Sequence, residues 1–168
     1  MPTTRFAPPM SDPDAATARV RSAASDLGLD IEIRERPEAG SLHEAAGLLG
    51  IEPQKIVKTL VVKRSDDTYL FALIPGDRQI AWAKLRAVVG VNKLQLPDPE
   101  RALAATGYER GTIVPLGSST AWPVYADETI SGRVALGAGA HGYSLFADSD
   151  ALLAALAATV ADISQPIG

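Results

Sequence analysis

The chain has 168 residues, 46% apolar and 21% charged, enough to bury one sizeable core as a single domain. It contains no cysteine, which excludes a disulfide framework, a thiol nucleophile and any cysteine-ligated metal site, and two histidines, His43 and His141, do not make a histidine-rich metal centre. The formal charge of −4 argues against a broad basic face that grips duplex DNA, and no apolar run approaches the roughly 18 residues that span a bilayer. No metal, cofactor, membrane or DNA partner is therefore expected.

Residues 1–13 carry prolines at positions 2, 8, 9 and 13 and no apolar stretch of signal-peptide type. The expectation is a disordered tail over 1–13, a folded domain over 14–168 and a soluble, cytoplasmic protein. Asp14 to Leu27 places Ala16, Val20, Ala23, Ala24 and Leu27 at helical spacing before Gly28. Leu29 to Arg36 alternates apolar and charged residues, as a half-exposed strand does. Ser41-Leu42-His43-Glu44 has the form of a capping box, and the helix it opens stops at Gly50.

A hairpin follows, with strands Ile56–Val62 and Thr68–Ile74 around Ser65-Asp66-Asp67. Ile80 to Val89 has a helical pattern ended by Gly90, and a short strand is expected near Val91–Leu94. Asp98 caps a further helix, with Pro99 at its first position and Gly107 at its end. Val124–Ala126, Arg133–Leu136 and Tyr143–Phe146 are short strands, and Asp148 or Ser149 opens a last helix expected to run to about Ile163. The order of elements defines an α+β fold with a mixed sheet rather than a βαβ series.

Charge is uneven along the chain. Residues 1–50 hold five Lys/Arg against eight Asp/Glu, residues 51–101 nine against six, and residues 102–168 two against six. The middle third is thus locally basic, which suits either a phosphate-bearing ligand or ordinary solvated surface.

Within that third, Lys58 lies in Ile56-Val57-Lys58-Thr59-Leu60-Val61-Val62 and shares a strand face with Ile56, Leu60 and Val62. An ammonium on an apolar face either bends to solvent or finds an anionic partner, and partial burial lowers its pKa. Gly111-Thr112-Ile113-Val114-Pro115-Leu116-Gly117 is a loop whose glycines permit close approach of backbone to a ligand, although such residues also punctuate plain surface loops. Gly137-Ala138-Gly139-Ala140-His141-Gly142 is a second small-residue stretch, in which His141 is either a substrate contact or a solvated turn residue. Asp127 either binds substrate or caps the turn after it. There is no Walker loop and no nucleophile elbow.

Taken in order, Lys58-Thr59-Leu60-Val61-Val62, Ile74-Pro75-Gly76-Asp77, Ala83-Lys84-Leu85, Thr106-Gly107-Tyr108, the Gly111–Gly117 loop, Pro123 to Asp127 and Ala138 to Gly142 resemble the YbaK/EbsC family, related to the editing domain of bacterial prolyl-tRNA synthetases. The resemblance covers roughly residues 29–165. It implies a single compact domain with a mixed, partly barrel-like sheet and surrounding helices. The implied activity is deacylation in trans of mischarged tRNA, Cys- or Ala-tRNA-Pro, with aminoacyl-tRNA as partner and prolyl-tRNA synthetase as a second candidate partner.

It also implies that Lys58 is the functional lysine, and that Thr59, Gly111, Thr112, Val114, Pro115, Leu116, Gly117, Asp127, Gly139, His141 and Gly142 contribute to the substrate pocket. Thr112, Leu116, His141 and Ser144 depart from the family pattern, the last two at positions that bear on amino-acid specificity. The attacking group is water, or the thiol of the substrate itself when the amino acid is cysteine. A non-catalytic module that binds a nucleotide, an aminoacyl derivative or a synthetase through the same pocket is the competing expectation.

Overall fold

A computed structural model of the chain describes residues 13–167. Residues 1–12 of the expected tail lie outside the described residues, and Pro13 opens the first helix, α1 (Pro13–Asp26), which buries Ala16, Val20 and Ala24. The expected strand after it is shorter, β1 (Glu32–Glu35), because Leu29 turns inward to the core as the chain leaves the helix. In α2 (Leu42–Leu49) the Ser41 hydroxyl accepts from the Glu44 amide at 3.1 Å, as a capping box requires. The Glu44 carboxylate, however, accepts from the amide of Gly40, one residue further back than the motif prescribes.

The hairpin is present as β2 (Val57–Arg64) and β3 (Tyr69–Pro75). Next come β4 (Arg78–Ile80), α3 (Trp82–Val89), β5 (Leu94–Gln95) and α4 (Pro99–Thr106), the last capped by the Asp98 side chain and closed by Gly107 in the left-handed region. The helix expected from Ile80 therefore starts two residues later, because Arg78–Ile80 extend to pair with a C-terminal strand that the hydrophobic pattern did not reveal. The strands β6 (Val124–Asp127), β7 (Arg133–Gly137) and β8 (Tyr143–Asp148) follow as expected.

The last helix departs most from expectation. Helix α5 spans only Ser149–Ala155, and Ala157 takes a positive φ of 53° that stops it. The chain then forms β9 (Thr159–Ala161), parallel to β6, and β10 (Ser164–Pro166), antiparallel to β4. The alanine- and leucine-rich stretch is helical as its propensity indicates, while the β-branched Thr159 and Val160 beyond it join the sheet.

Five strands form a mixed sheet in the order β5-β2-β3-β6-β9, and three form an antiparallel sheet in the order β1-β8-β7. A parallel bridge between Ile56 and Ala135 joins β7 to the start of β2, so the two sheets turn into one another. The larger core lies between this curved surface and α1, α4 and α5, around Val57, Val61, Phe71, Leu73, Tyr108, Val114, Leu116 and Leu145. A second core of Val62, Leu70, Ala72, Ile74, Leu85 and Ile163 covers the other face of β2 and β3.

Candidate functional site

One edge of β2 is open. Ile56 accepts from the Gly76 amide and Arg64 donates to Thr68, so the even-numbered residues of β2 exchange main-chain bonds with the hairpin partner. Alternation turns the main-chain groups of Thr59 and Val61 to the opposite edge. There, among the described residues, β5 pairs only with Lys63 and Arg64, and β7 packs beside β2 but bridges to its main chain only at Ile56. Between the two the sheet splays apart, leaving a row of polar backbone that needs partners from water or a ligand.

A cavity of about 510 Å³ occupies this gap. Val57, Val61, Ala135 and Leu136 form its apolar floor, Gly111 and Ile113 one wall, and Leu96, Pro97, Pro99 and Ala102 another. Among the described residues its charged lining residues are Arg36, Lys58 and Arg110, and none is Asp or Glu. For a chain of net charge −4 this is a locally cationic hollow, suited to an anionic ligand with an apolar part. Among the described residues no group of three or more His, Asp or Glu side chains is placed to hold a metal ion.

Lys58 is half-buried on the β2 face that carries Leu60 and Val62 toward the second core. Its Nζ donates to the Arg78 carbonyl at 2.5 Å, which ties the amine to β4 and leaves two of its protons for other acceptors. Burial lowers its pKa below the ordinary lysine range, and the carboxylate of Asp77 partly offsets that fall. Thr59 points to the other face, with Val57 and Val61, and its Oγ1 is buried without a hydrogen-bond partner. An orphaned hydroxyl closed off from solvent is a costly group, and Thr59 must rotate its side chain before that hydroxyl can meet a ligand or a water in the neighbouring cavity.

Of the residues singled out in the sequence, Lys58, Thr59 and Gly111 line this cavity together. Thr112 is buried, its hydroxyl donating to the Glu109 carbonyl at 2.7 Å, while Val114, Pro115 and Leu116 pack inward behind the wall. Gly117 lies at φ +74° against Arg19 and Tyr108, and its carbonyl accepts from Arg19 at 2.6 Å. Gly139 packs against the Tyr108 ring and the Ala16 carbonyl, and its amide donates to Thr112 at 3.0 Å.

His141 is exposed beside Gly111, 3.5 Å from a Glu109 carboxylate oxygen, and the Gly142 carbonyl accepts from the Arg36 amide. Asp127 is buried away from the cavity. Burial alone would raise its pKa, but hydrogen bonds from Thr129, Ile163 and Ser164 outweigh that and hold the carboxyl below its ordinary range.

The glycines of the two small-residue stretches let those stretches touch each other. A Cβ on Gly137 would lie 2.8 Å from the Ile113 carbonyl and 2.9 Å from that of Thr112, so β7 and the Gly111 loop meet through bare backbone. This contact fixes the wall of the cavity. Sequence reading missed Arg36, Arg110, Gly137 and Tyr143 as lining residues, and placed Ser144 only as a departure from a pattern. Arg36 donates through Nε to Ser144 Oγ at 3.0 Å across 108 residues of chain, a pairing that no local spacing signals.

The chain is thus a mixed α+β domain with a cation-lined cavity at an open strand edge. The chain belongs to the aminoacyl-tRNA editing domain family, whose model matches residues 36–155 and so includes every described residue that lines the cavity. It is similar to proline–tRNA ligases, at 35% identity over 99 residues in Thermosipho melanesiensis (59% of this chain, 17% of that enzyme). In Shouchella clausii the identity is 36% over 115 residues (67% of this chain, 20% of that enzyme). The chain thus spans about a fifth or less of the length of these curated relatives. Among solved structures it resembles one described as a candidate trans-editing enzyme for prolyl tRNA synthetase, with a TM-score of 0.83 and 27% identity over 96% of this chain and 99% of that one.

Proposed function

We propose that this domain hydrolyses, in trans, the ester that joins a wrong amino acid to tRNA, with Cys- or Ala-tRNA-Pro as the substrates to test first and a prolyl-tRNA synthetase as the enzyme whose errors it corrects. The observation that carries this reading is the cavity itself: cationic, free of carboxylates among the described residues, and lined by the open edge of β2. The similarity in fold to a solved candidate trans-editing enzyme for prolyl tRNA synthetase supports action in trans. A volume near 510 Å³ holds a terminal nucleoside together with a small aminoacyl group.

An aminoacyl ester is already activated, so its hydrolysis depends on positioning and on stabilising the charge that develops on the carbonyl oxygen. Water adds to the carbonyl carbon, the tetrahedral intermediate collapses, and the ribose hydroxyl leaves with a proton, releasing the free amino acid and tRNA. The Lys58 ammonium, oriented by the Arg78 carbonyl, polarises the ester or anchors the 3′ nucleotide. It is not a Schiff-base nucleophile in this mechanism. The main-chain groups of Thr59 and Val61, and the Gly111 backbone, are the neutral partners for the amino acid and the ester.

The direct test is deacylation of a panel of mischarged tRNAs by the purified domain. Hydrolysis of at least one member above the spontaneous rate is expected; failure on all, with saturable binding of an aminoacyl-adenosine analogue, would make the protein a binding module instead.

Two further outcomes follow from the geometry. Thr59→Val replaces an orphaned hydroxyl by a methyl of the same shape, so Tm should stay constant or rise, while kcat/KM should fall about tenfold if the hydroxyl rotates on binding to make one hydrogen bond to substrate. An unchanged kcat/KM would remove Thr59 from the site. Activity that needs the ammonium should decline as pH rises through the lowered pKa of Lys58, once spontaneous alkaline hydrolysis is subtracted. Asp77→Asn removes the charge that holds that pKa up, so the alkaline limb of the rate profile should move to lower pH.

A further inference from the structure

We propose that Arg36 recognises the phosphodiester next to the terminal nucleoside and that Ser144 is its positioning residue. The proposal rests on the reading of the cavity as an aminoacyl-ester site and extends it to a second group on the substrate.

Arg36 lies just beyond the end of β1, half-buried, on the lining of the cavity. Its Nε donates to Ser144 Oγ at 3.0 Å and its Nη1 to the Pro37 carbonyl at 3.1 Å. Ser144 is itself buried in β8, at the centre of the three-stranded sheet, so the guanidinium is held at a fixed angle by a rigid element. Two of its five N–H groups are used by these acceptors, and among the described residues no carboxylate pairs with it. Arg34 and Arg133 of the same sheet, in contrast, are both taken up by Glu32. Arg36 is therefore a positioned, half-buried guanidinium with donors to spare, on a cavity whose other charged lining residues among those described, Lys58 and Arg110, have the same sign.

The chemistry of the substrate says which anion such a group meets. In an aminoacyl ester the carboxylate of the amino acid has been consumed by the ester bond, and its α-amino group is a cation. The nearest negative charge is the phosphodiester on the 5′ side of the terminal nucleoside. A guanidinium fork matches phosphate oxygens in shape as well as charge.

The test compares two ester substrates, aminoacyl-adenosine and aminoacyl-adenosine 5′-monophosphate, in the full-length protein. For the wild type the phosphate should lower KM. In Arg36→Ala the KM of the phosphate-bearing ester should rise about 10- to 100-fold, the range of a charged hydrogen bond, while kcat and the phosphate-free ester change less than about twofold. Ser144→Ala should give the same pattern with a smaller amplitude, and Arg36→Lys should recover part of the loss by restoring charge without the fork. An equal effect on both esters, or no effect on either, overturns the proposal.

Binding of adenosine 5′-monophosphate against adenosine needs no turnover and separates the two claims. A phosphate preference that disappears in Arg36→Ala upholds the role of Arg36 even where no ester is cleaved, in which case the hydrolytic reading alone falls. A preference that is absent from the wild type, or that survives in the variant, rejects this proposal and leaves the hydrolytic reading to the deacylation panel.

Discussion

A Lys58→Ala variant is expected to lose about 100- to 1,000-fold in kcat for deacylation, the range found when one preorganised donor to a developing oxyanion is removed. The expectation comes from position. Lys58 is the charged residue of β2 that both lines the cavity and is tied at 2.5 Å to a main-chain carbonyl of β4, so its amine is oriented before substrate arrives. Stability should suffer little. Burial already disfavours the charged form, and removing an ammonium from the face shared with Leu60 and Val62 relieves a desolvation cost. Lys58→Met, which keeps the length of the side chain without its charge, separates packing from electrostatics. Deacylation rates with Tm as a folding control decide the matter: both variants should be folded and inactive, and full activity in either would take Lys58 out of the mechanism.

The second large effect is structural. Gly117→Ala should destabilise the domain by about 3 to 5 kcal/mol, the sum of a left-handed backbone at a non-glycine residue and a steric overlap that cannot relax. An added Cβ would stand 2.6 Å from the Tyr108 hydroxyl and 2.9 Å from the Arg19 carbonyl. Neither neighbour is free to move. The Tyr108 hydroxyl donates to the Leu116 carbonyl at 2.6 Å, and Arg19 belongs to α1 and lies over the Tyr108 ring at 4.8 Å. Burial pushes the Tyr108 phenol up to about 12, only partly offset by Arg19, so the contact persists across the working pH range. Thermal unfolding should show a fall in Tm of roughly 10 °C or more. A change within one or two degrees would mean that the loop is looser than its packing indicates.

The behaviour of Gly117 also shows what the sequence makes legible and what it hides. Local chemistry reads well: Ser41, Asp98 and Asp148 all cap helices through their side chains, and the β2–β3 hairpin and the half-apolar face of Lys58 follow from alternation. The glycines were equally visible, but glycine reports only that something comes close. Around Gly117, Gly137 and Gly139 that something is the chain's own backbone and core, brought together by contacts that, apart from Gly117 with Tyr108, are more than twenty residues apart.

The C-terminal segment was hidden for a related reason. The alanine- and leucine-rich stretch stays helical to Ala155, and Thr159 and Val160 are strand formers too few to read as a strand alone, so it takes the free edges of β6 and β4 to show Thr159–Ala161 and Ser164–Pro166 as strands. Arg36 and Ser144 lay beyond sequence reasoning altogether, since their meeting is a property of the folded sheet.

The measurement closest to the central claim is a backbone amide NMR titration with a non-hydrolysable aminoacyl-adenosine in which an amide replaces the ester. If the open edge of β2 is where the aminoacyl end sits, the largest shifts should fall on Thr59, Val61 and Gly111, with the Lys58 side chain affected and Asp127 untouched. Shifts confined to the Gly139–Gly142 turn or to another face of the domain, with β2 unchanged, would contradict the account.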